Sequence, residues 1–298
     1  MEHYYDNHYK TKRMLNIPEI SMERLMERYE VLLFDAYGVL VHATDALPGA
    51  VELLQHLTRT GKPYYILTND ASKLPATAAK KYQGYGLPIP PEAMITSGGL
   101  LTGYFDRHGL AGTRCAVLGP GDSLEYVEKA GGRIVPAGND FDVLVIADEA
   151  GFPFLETVDR LLTSLFHAID RRRKVHLILP NPDIIYPKAH GEFGFSAGSI
   201  AGIFEAALRL RYPQQPHLRF TRLGKPENGL FREALSRSGT RNMVMIGDQL
   251  ETDIQGARAF GLDAVLMETG VTTGNPGPIP EPLRPTYRLR GLPKELTG

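Results

Sequence analysis

Three uninterrupted apolar runs each end in groups that can do chemistry. Val31-Leu32-Leu33-Phe34 runs into Asp35, Tyr64-Tyr65-Ile66-Leu67 into Thr68-Asn69-Asp70, and Met243-Val244-Met245-Ile246 into Gly247-Asp248. A continuous apolar run of this length suits a strand covered on both faces, as in a parallel sheet. In such sheets ligands bind at the carboxyl ends of the strands, so Asp35, Thr68 and Asp248 can converge from distant parts of the chain. Two carboxylates brought together repel, which favours a hard cation such as Mg2+ between them. Lys225, in the turn signal Leu223-Gly224-Lys225-Pro226, adds a fixed positive charge. Carboxylates, Mg2+, a lysine and a hydroxyl suit transfer of a phosphoryl group, whose charge spreads over several oxygens. A carboxylate can also be the nucleophile, forming an aspartyl-phosphate that water hydrolyses. Taken alone, Asp35 before Gly38 reads equally as the cap of a turn.

The elements that must position these groups follow from hydrophobic periodicity. Ser21 caps a short helix with Met22, Leu25, Met26 and Tyr29 on one face. The first strand is followed by a helix from about Val51, closed by Gly61, then the strand at 64–67, a helix near Ala76–Tyr82, the run Met94-Ile95-Thr96 and a helix over Leu100–Arg107. This βαβα alternation predicts a parallel α/β sheet. From about Gly112 the alternation restarts, with strands at Cys115–Leu118, Arg133–Val135, Val143–Ala147 and Val175–Leu179 and a long helix at Phe154–Ile169. The glycine-rich stretch Gly191–Gly198 reads as the return crossing. Helices over Ile200–Leu210, Gly229–Arg237 and Ile254–Phe260 and a last strand, Ala264–Met267, complete the pattern, and the proline-rich tail reads as irregular. The expected class is therefore α/β: a Rossmann-like doubly wound parallel-sheet core, 30–110 and 197–298, with a second, inserted α/β domain over 111–196. An N-terminal extension with the short helix occupies 1–29.

Bulk properties narrow the function. The chain has 298 residues and a net charge of −1, which gives no electrostatic case for nucleic acid as a partner. The one dense basic run, Arg171-Arg172-Arg173-Lys174, follows an apolar helical pattern and reads as a solvated helix end favoured by the macrodipole. The single cysteine, Cys115, lies in an apolar run and reads as an inert core thiol. The first 20 residues are polar, unlike a secretory signal, and no apolar run approaches the ~20 residues of a membrane span. The expectation is a cytoplasmic protein with no membrane or nucleic-acid partner.

The ordered set D-A-Y-G-V-L, L-T-N-D, L-G-K-P and G-D-Q-L-E-T-D resembles the four motifs of the haloacid dehalogenase-like hydrolase superfamily. The stretch Gly247–Gly274 is similar to its NagD-like subfamily, whose large α/β cap is inserted between the second and third motifs. Asn181-Pro182-Asp183, followed by Gly198-Ser199-Ile200, also resembles that subfamily's cap-to-core return. The resemblance implies a Mg2+-dependent phosphatase acting on a small phosphorylated metabolite such as a sugar phosphate or nucleotide. It implies Asp35 as nucleophile and metal ligand, the Tyr37 carbonyl and Asp248 as further ligands, and Asp253 in support. Thr68 and the amide of Asn69 would hold the phosphate, and Lys225 would neutralise it. Asp70, Asn181 and Asp183 are candidates for substrate contact, the last two reading equally as an Asx-type turn. A homodimer formed through the cap fits the same likeness.

One position departs from the pattern. Phosphatases of this superfamily carry a second aspartate two residues after the nucleophile, which protonates the leaving group and then activates water. Tyr37 stands there. A phenol, whose ordinary pKa is near ~10, can donate a proton but is a poor general base at neutral pH. Losing a general acid–base costs about 10²–10⁴ in rate, unless His42 or Asp70 substitutes. Two alternatives follow: a catalytically impaired member that binds a phosphorylated ligand or a partner protein, and a 2-haloacid dehalogenase-like hydrolase. D-A-Y-G also resembles the latter group, but Gly247-Asp248 and the large insert count against it.

Overall fold

The computed structural model describes residues 17–42, 44–188, 192–269 and 279–293. The polar lead-in before residue 17, Gly191, the 270–274 end of the last motif stretch and the tail prolines Pro276 and Pro278 lie outside these residues. Two compact units result, one within Met1–Thr68, Ala78–Ile95 and Lys225–Gly298, the other comprising Asn69–Thr77 and Thr96–Gly224.

In the first unit, the helix Met22–Arg28 begins at Ser21, whose hydroxyl accepts from the Arg24 amide at 3.4 Å. Strand β1 (Val31–Phe34) is buried along its whole length, the helix Ala50–Thr60 ends on Gly61 in the left-handed region, and β2 (Tyr64–Thr68) follows. β3 (Met94–Thr96) closes that side of the sheet. The chain re-enters this sheet much later, through β11 (Met243–Gly247), β12 (Asp263–Met267) and β13 (Tyr287–Leu289), and the strand order is β13-β12-β11-β1-β2-β3. The pairings of β1 with β2 and β11, of β11 with β12 and of β12 with β13 are parallel. Strand order reverses between β1 and β11, the position at which a doubly wound sheet leaves a crevice beyond its strand ends.

The second unit holds a separate five-stranded parallel sheet. Its strands are β4 (Arg114–Leu118), β5 (Arg133–Ile134), β6 (Val143–Ile146), β7 (His176–Leu179) and β10 (Thr221–Arg222), in the order β10-β7-β6-β4-β5. Alternate residues of β6 face opposite ways. Leu144 and Ile146 pack with the helices Phe154–Asp170 and Ala197–Arg211, and Val143 and Val145 with the helices Leu100–His108 and Gly121–Lys129. Burial on both faces is why these strands read as unbroken apolar runs. No helix among the described residues is long and apolar enough to cross a membrane.

The structure corrects two local readings. The stretch taken as a return crossing contains the second half of an antiparallel hairpin, β8 (Ile185–Pro187) with β9 (Phe193–Phe195). The helix after it packs on the second sheet and β10 pairs with β7, so the second unit continues to Gly224. The tail is not wholly irregular either: β13 follows Pro285 and pairs with β12. An edge strand tolerates the flanking proline because it needs partners on one side alone.

Cys115 is fully buried among Phe105, Val127 and Val143, and burial pushes its thiol up. Iodoacetamide will leave the folded protein unmodified and alkylate one thiol in urea; mass spectrometry of native and unfolded samples checks this.

Candidate active site

The first unit holds six of the expected residues: Asp35, Tyr37, Thr68, Asp248, Asp253 and Lys225. The Asp35 amide donates to the Ile246 carbonyl at 2.9 Å, which carries the β1–β11 ladder one residue past β1. Beyond it the chain turns through Gly38 at φ +78°, where a Cβ would stand 2.2 Å from Asp248 Oδ2. Glycine is required there both by the backbone and by the approach of the carboxylate. Gly247 is held by the same kind of constraint, since a Cβ would lie 2.2 Å from that of Asp253.

Lys225 joins the group. It is 2% exposed, and its ammonium donates to Asp35 Oδ1 at 2.7 Å, Asp253 Oδ1 at 2.6 Å and the Leu67 carbonyl at 2.9 Å. Burial alone would lower the Lys225 pKa; the charges of Asp253 and Asp35 outweigh it and hold the group above its ordinary value. Asp35 moves the other way. Burial pushes its carboxyl up to about 7, against the opposing pull of Lys225.

One oxygen each of Asp35, Asp248 and Asp253 lies within 4.8 Å of the others, and all three residues are buried. Asp253 is committed elsewhere: Oδ1 accepts from Lys225, and Oδ2 accepts from the amides of Asp248 and Gln249 at 3.2 Å each. It sits in a π-helical turn, Leu250–Ile254, that folds its carboxylate back onto the chain carrying Asp248. Thr68 is buried at the end of β2. The Tyr37 hydroxyl accepts from Lys81 Nζ at 2.6 Å, an ammonium that also lies 5.3 Å from the ring centroid. His42 is exposed in a turn closed by its amide on the Asp45 carbonyl at 2.9 Å.

The other expected residues belong to the second unit. Asn69 Nδ2 donates to Asp183 Oδ1 at 2.9 Å, and the Asp183 amide donates to Asn181 Oδ1 at 3.1 Å, an Asx-type turn. Asn181 Nδ2 reaches Ser196 Oγ at 3.1 Å. Asp70 caps its own loop, with Oδ1 on the amide and hydroxyl of Ser72 and Oδ2 on Lys73 at 3.1 Å. Two acids here escaped the sequence reading. Val143-Leu144-Val145-Ile146 runs into Ala147-Asp148-Glu149, the same apolar-run-then-acid signal as at Asp35. Burial raises both carboxyls, that of Glu149 to about 7. Lys81 could not have been found this way, because 44 residues separate it from Tyr37 and no motif marks it.

A family model described as haloacid dehalogenase-like hydrolase matches residues 32–133, and a second, HAD hydrolase-like, matches 222–293. The chain is 28% identical over 263 residues to a dihydroxyacetone phosphatase of Corynebacterium glutamicum, covering 87% of this chain and 88% of that one. A crystal structure described as a possible sugar phosphatase of the HAD superfamily, from Cytophaga hutchinsonii, superposes with a TM-score of 0.79 at 28% identity, over 93% of this chain and 98% of that one. NagD from E. coli K-12 shares the fold with a TM-score of 0.70 at 23% identity, over 90% and 98% of the two chains. The chain belongs to the haloacid dehalogenase-like hydrolase superfamily and its NagD-like subfamily.

Removing the ammonium while keeping the carboxylates tests how the cluster is held. Lys225→Met strands Asp35 and Asp253 without their shared cation, and breaking a buried pair in this way costs about 3–5 kcal/mol. Urea unfolding at pH 7 measures the loss, and an unchanged midpoint would contradict the pairing.

Proposed function

We propose that the protein is a Mg2+-dependent phosphomonoester hydrolase that acts on a small phosphorylated metabolite, such as a sugar phosphate or nucleotide, through Asp35. The observation that carries this reading is the buried cluster of Asp35, Asp248 and Asp253, with the Lys225 ammonium on two of the three carboxylates, Asp35 and Asp253. The donor set fits the cation, since Mg2+ takes hard oxygen ligands and carboxylates supply them. Asp35, Asp248 and the Tyr37 carbonyl would hold it, and when bound it would neutralise charge on the phosphoryl oxygens.

A carboxylate oxygen of Asp35 is the attacking atom, with Lys225 donating to Oδ1 at 2.7 Å. It forms a bond to phosphorus as the bond from phosphorus to the leaving oxygen breaks, and the departing alkoxide takes up a proton. Water then attacks phosphorus, the Asp35–phosphorus bond breaks, and phosphate and the free carboxylate are regenerated with loss of one proton. The Thr68 hydroxyl would donate to the phosphoryl group in both steps, and Lys225 would offset its charge. The Asn69 amide would hold the phosphate beside Thr68, and Asp70, Asn181 and Asp183 are proposed for contact with the substrate.

Tyr37 supports a second reading, of a member impaired in turnover that retains phosphorylated ligands. Its hydroxyl is held by Lys81 and has no carboxylate's capacity to accept a proton from water. Turnover of 4-nitrophenyl phosphate with and without Mg2+, beside halide release from a 2-haloacid, separates the readings. Metal-dependent phosphate release that falls at least ~10³-fold in Asp35→Asn is the expected result. Absence of turnover with ligand binding retained would favour the impaired member, and halide release the dehalogenase alternative. If the acid–base group limits the rate, Tyr37→Asp will raise phosphate release by about 10²-fold or more, and a fall would overturn that account of Tyr37.

A further inference from the structure

The basic run after the long helix of the second unit is more than a solvated helix end. Beside it lies a cleft of about 450 Å³, with Leu165, Ile169, Val175 and Leu177 among its apolar lining and Arg172, Lys174 and Arg219 at its rim. It opens at the amino end of β7, the end opposite Asn181 and Asp183. None of its described lining residues is acidic. Arg173 also lines it but is spent on structure, bonding Asp142 at 2.6 Å, the Phe141 carbonyl at 3.0 Å and Asp140 at 3.0 Å. Among the described residues, Arg172, Lys174 and Arg219 form no ion pair.

Arg172 adds a second, independent observation. The helix closes with a Schellman arrangement: the Arg173 amide donates to Ala168 at 2.9 Å and the Arg172 amide to Ile169 at 2.8 Å. The residue at Arg172 must then be left-handed, and its φ is +59°. Glycine is the usual occupant, because a side chain there is strained. At six other helix ends among the described residues the left-handed position is glycine: Gly61, Gly86, Gly109, Gly131, Gly239 and Gly261. Here alone among the described residues a non-glycine residue has positive φ, and it places a guanidinium at the rim of an apolar cleft. Strain retained at a position where glycine would relieve it points to a use for the side chain.

We propose that this cleft binds an amphipathic organic anion, a medium-length apolar chain ending in a phosphate, sulfonate or carboxylate, with the chain on the apolar lining and the anion among Arg172, Lys174 and Arg219. The volume falls in the ordinary range of small-molecule sites, about 300–1,000 Å³. Apolar walls with a few convergent charges supply affinity and orientation respectively.

Isothermal titration of the full chain with 1-octanesulfonate, which has no hydrolysable phosphoester, tests this. Saturable binding to one site is expected, with octyl glucoside and inorganic sulfate each binding at least ~10-fold more weakly, because each lacks one half of the recognition. Arg172→Gly and Arg219→Gln will each weaken octanesulfonate about tenfold. Arg172→Gly will in addition raise the melting temperature of the unliganded protein by about 2 °C, since it eases the left-handed turn. Equal affinity for the neutral detergent, or unchanged affinity in both variants, overturns the proposal. So does a lower melting temperature in Arg172→Gly, which would assign the guanidinium to packing. Co-sedimentation with phosphatidylglycerol vesicles, lost in the same variants, without binding of monomeric octanesulfonate would replace the soluble ligand by a lipid surface and also overturn it.

Discussion

A single buried ammonium organises the first unit. Lys225 compensates two carboxylates that burial would otherwise expel or neutralise, donating to both of them and to the Leu67 carbonyl. One of those bonds ends on the Leu67 carbonyl, so the same group also fixes the end of β2. Asp253 passes the constraint on, because its second oxygen holds the amides of Asp248 and Gln249. Three stretches far apart in sequence are thereby tied into one rigid polar knot beneath the strand ends. A networked charge cluster of this kind is costly to assemble, and its arrangement admits little variation once formed.

Glycine supplies the other half of that rigidity. At Gly38 and Gly247 the missing side chain is what lets Asp248 and Asp253 come as close as they do. The close packing around these two glycines explains why the acid motifs carry glycine at fixed offsets: the carboxylate occupies the volume that a methyl group would need.

Much of this was legible in the chain itself. The apolar runs at Val31–Phe34, Tyr64–Leu67 and Met243–Ile246 are strands because both faces of the sheet are covered, and burial leaves a strong compositional trace. The motif order also announced the superfamily. What escaped lacks such a trace. The hairpin β8–β9 exposes Phe193 and Phe195, so no inward–outward alternation marks it. β10 is two residues long and β13 an edge strand after prolines, and both exist through their pairing partners rather than through their own pattern. The Tyr37–Lys81 contact is a matter of tertiary placement. Asp148 and Glu149 are a different case, since the signal was present at the end of an apolar run and went unread.

The pairing of β1 with β11 has a consequence for how the chain is made. Val31 lies beside Met243, so the central ladder of the first sheet joins residues more than 200 positions apart. Every strand of the second sheet is synthesised within that interval. On the ribosome, β1 and β2 therefore emerge early with one long apolar edge unpaired, while the intervening unit can close on itself first. The nascent chain carries Asp35 at the end of a strand whose sheet is incomplete until the last quarter has been translated.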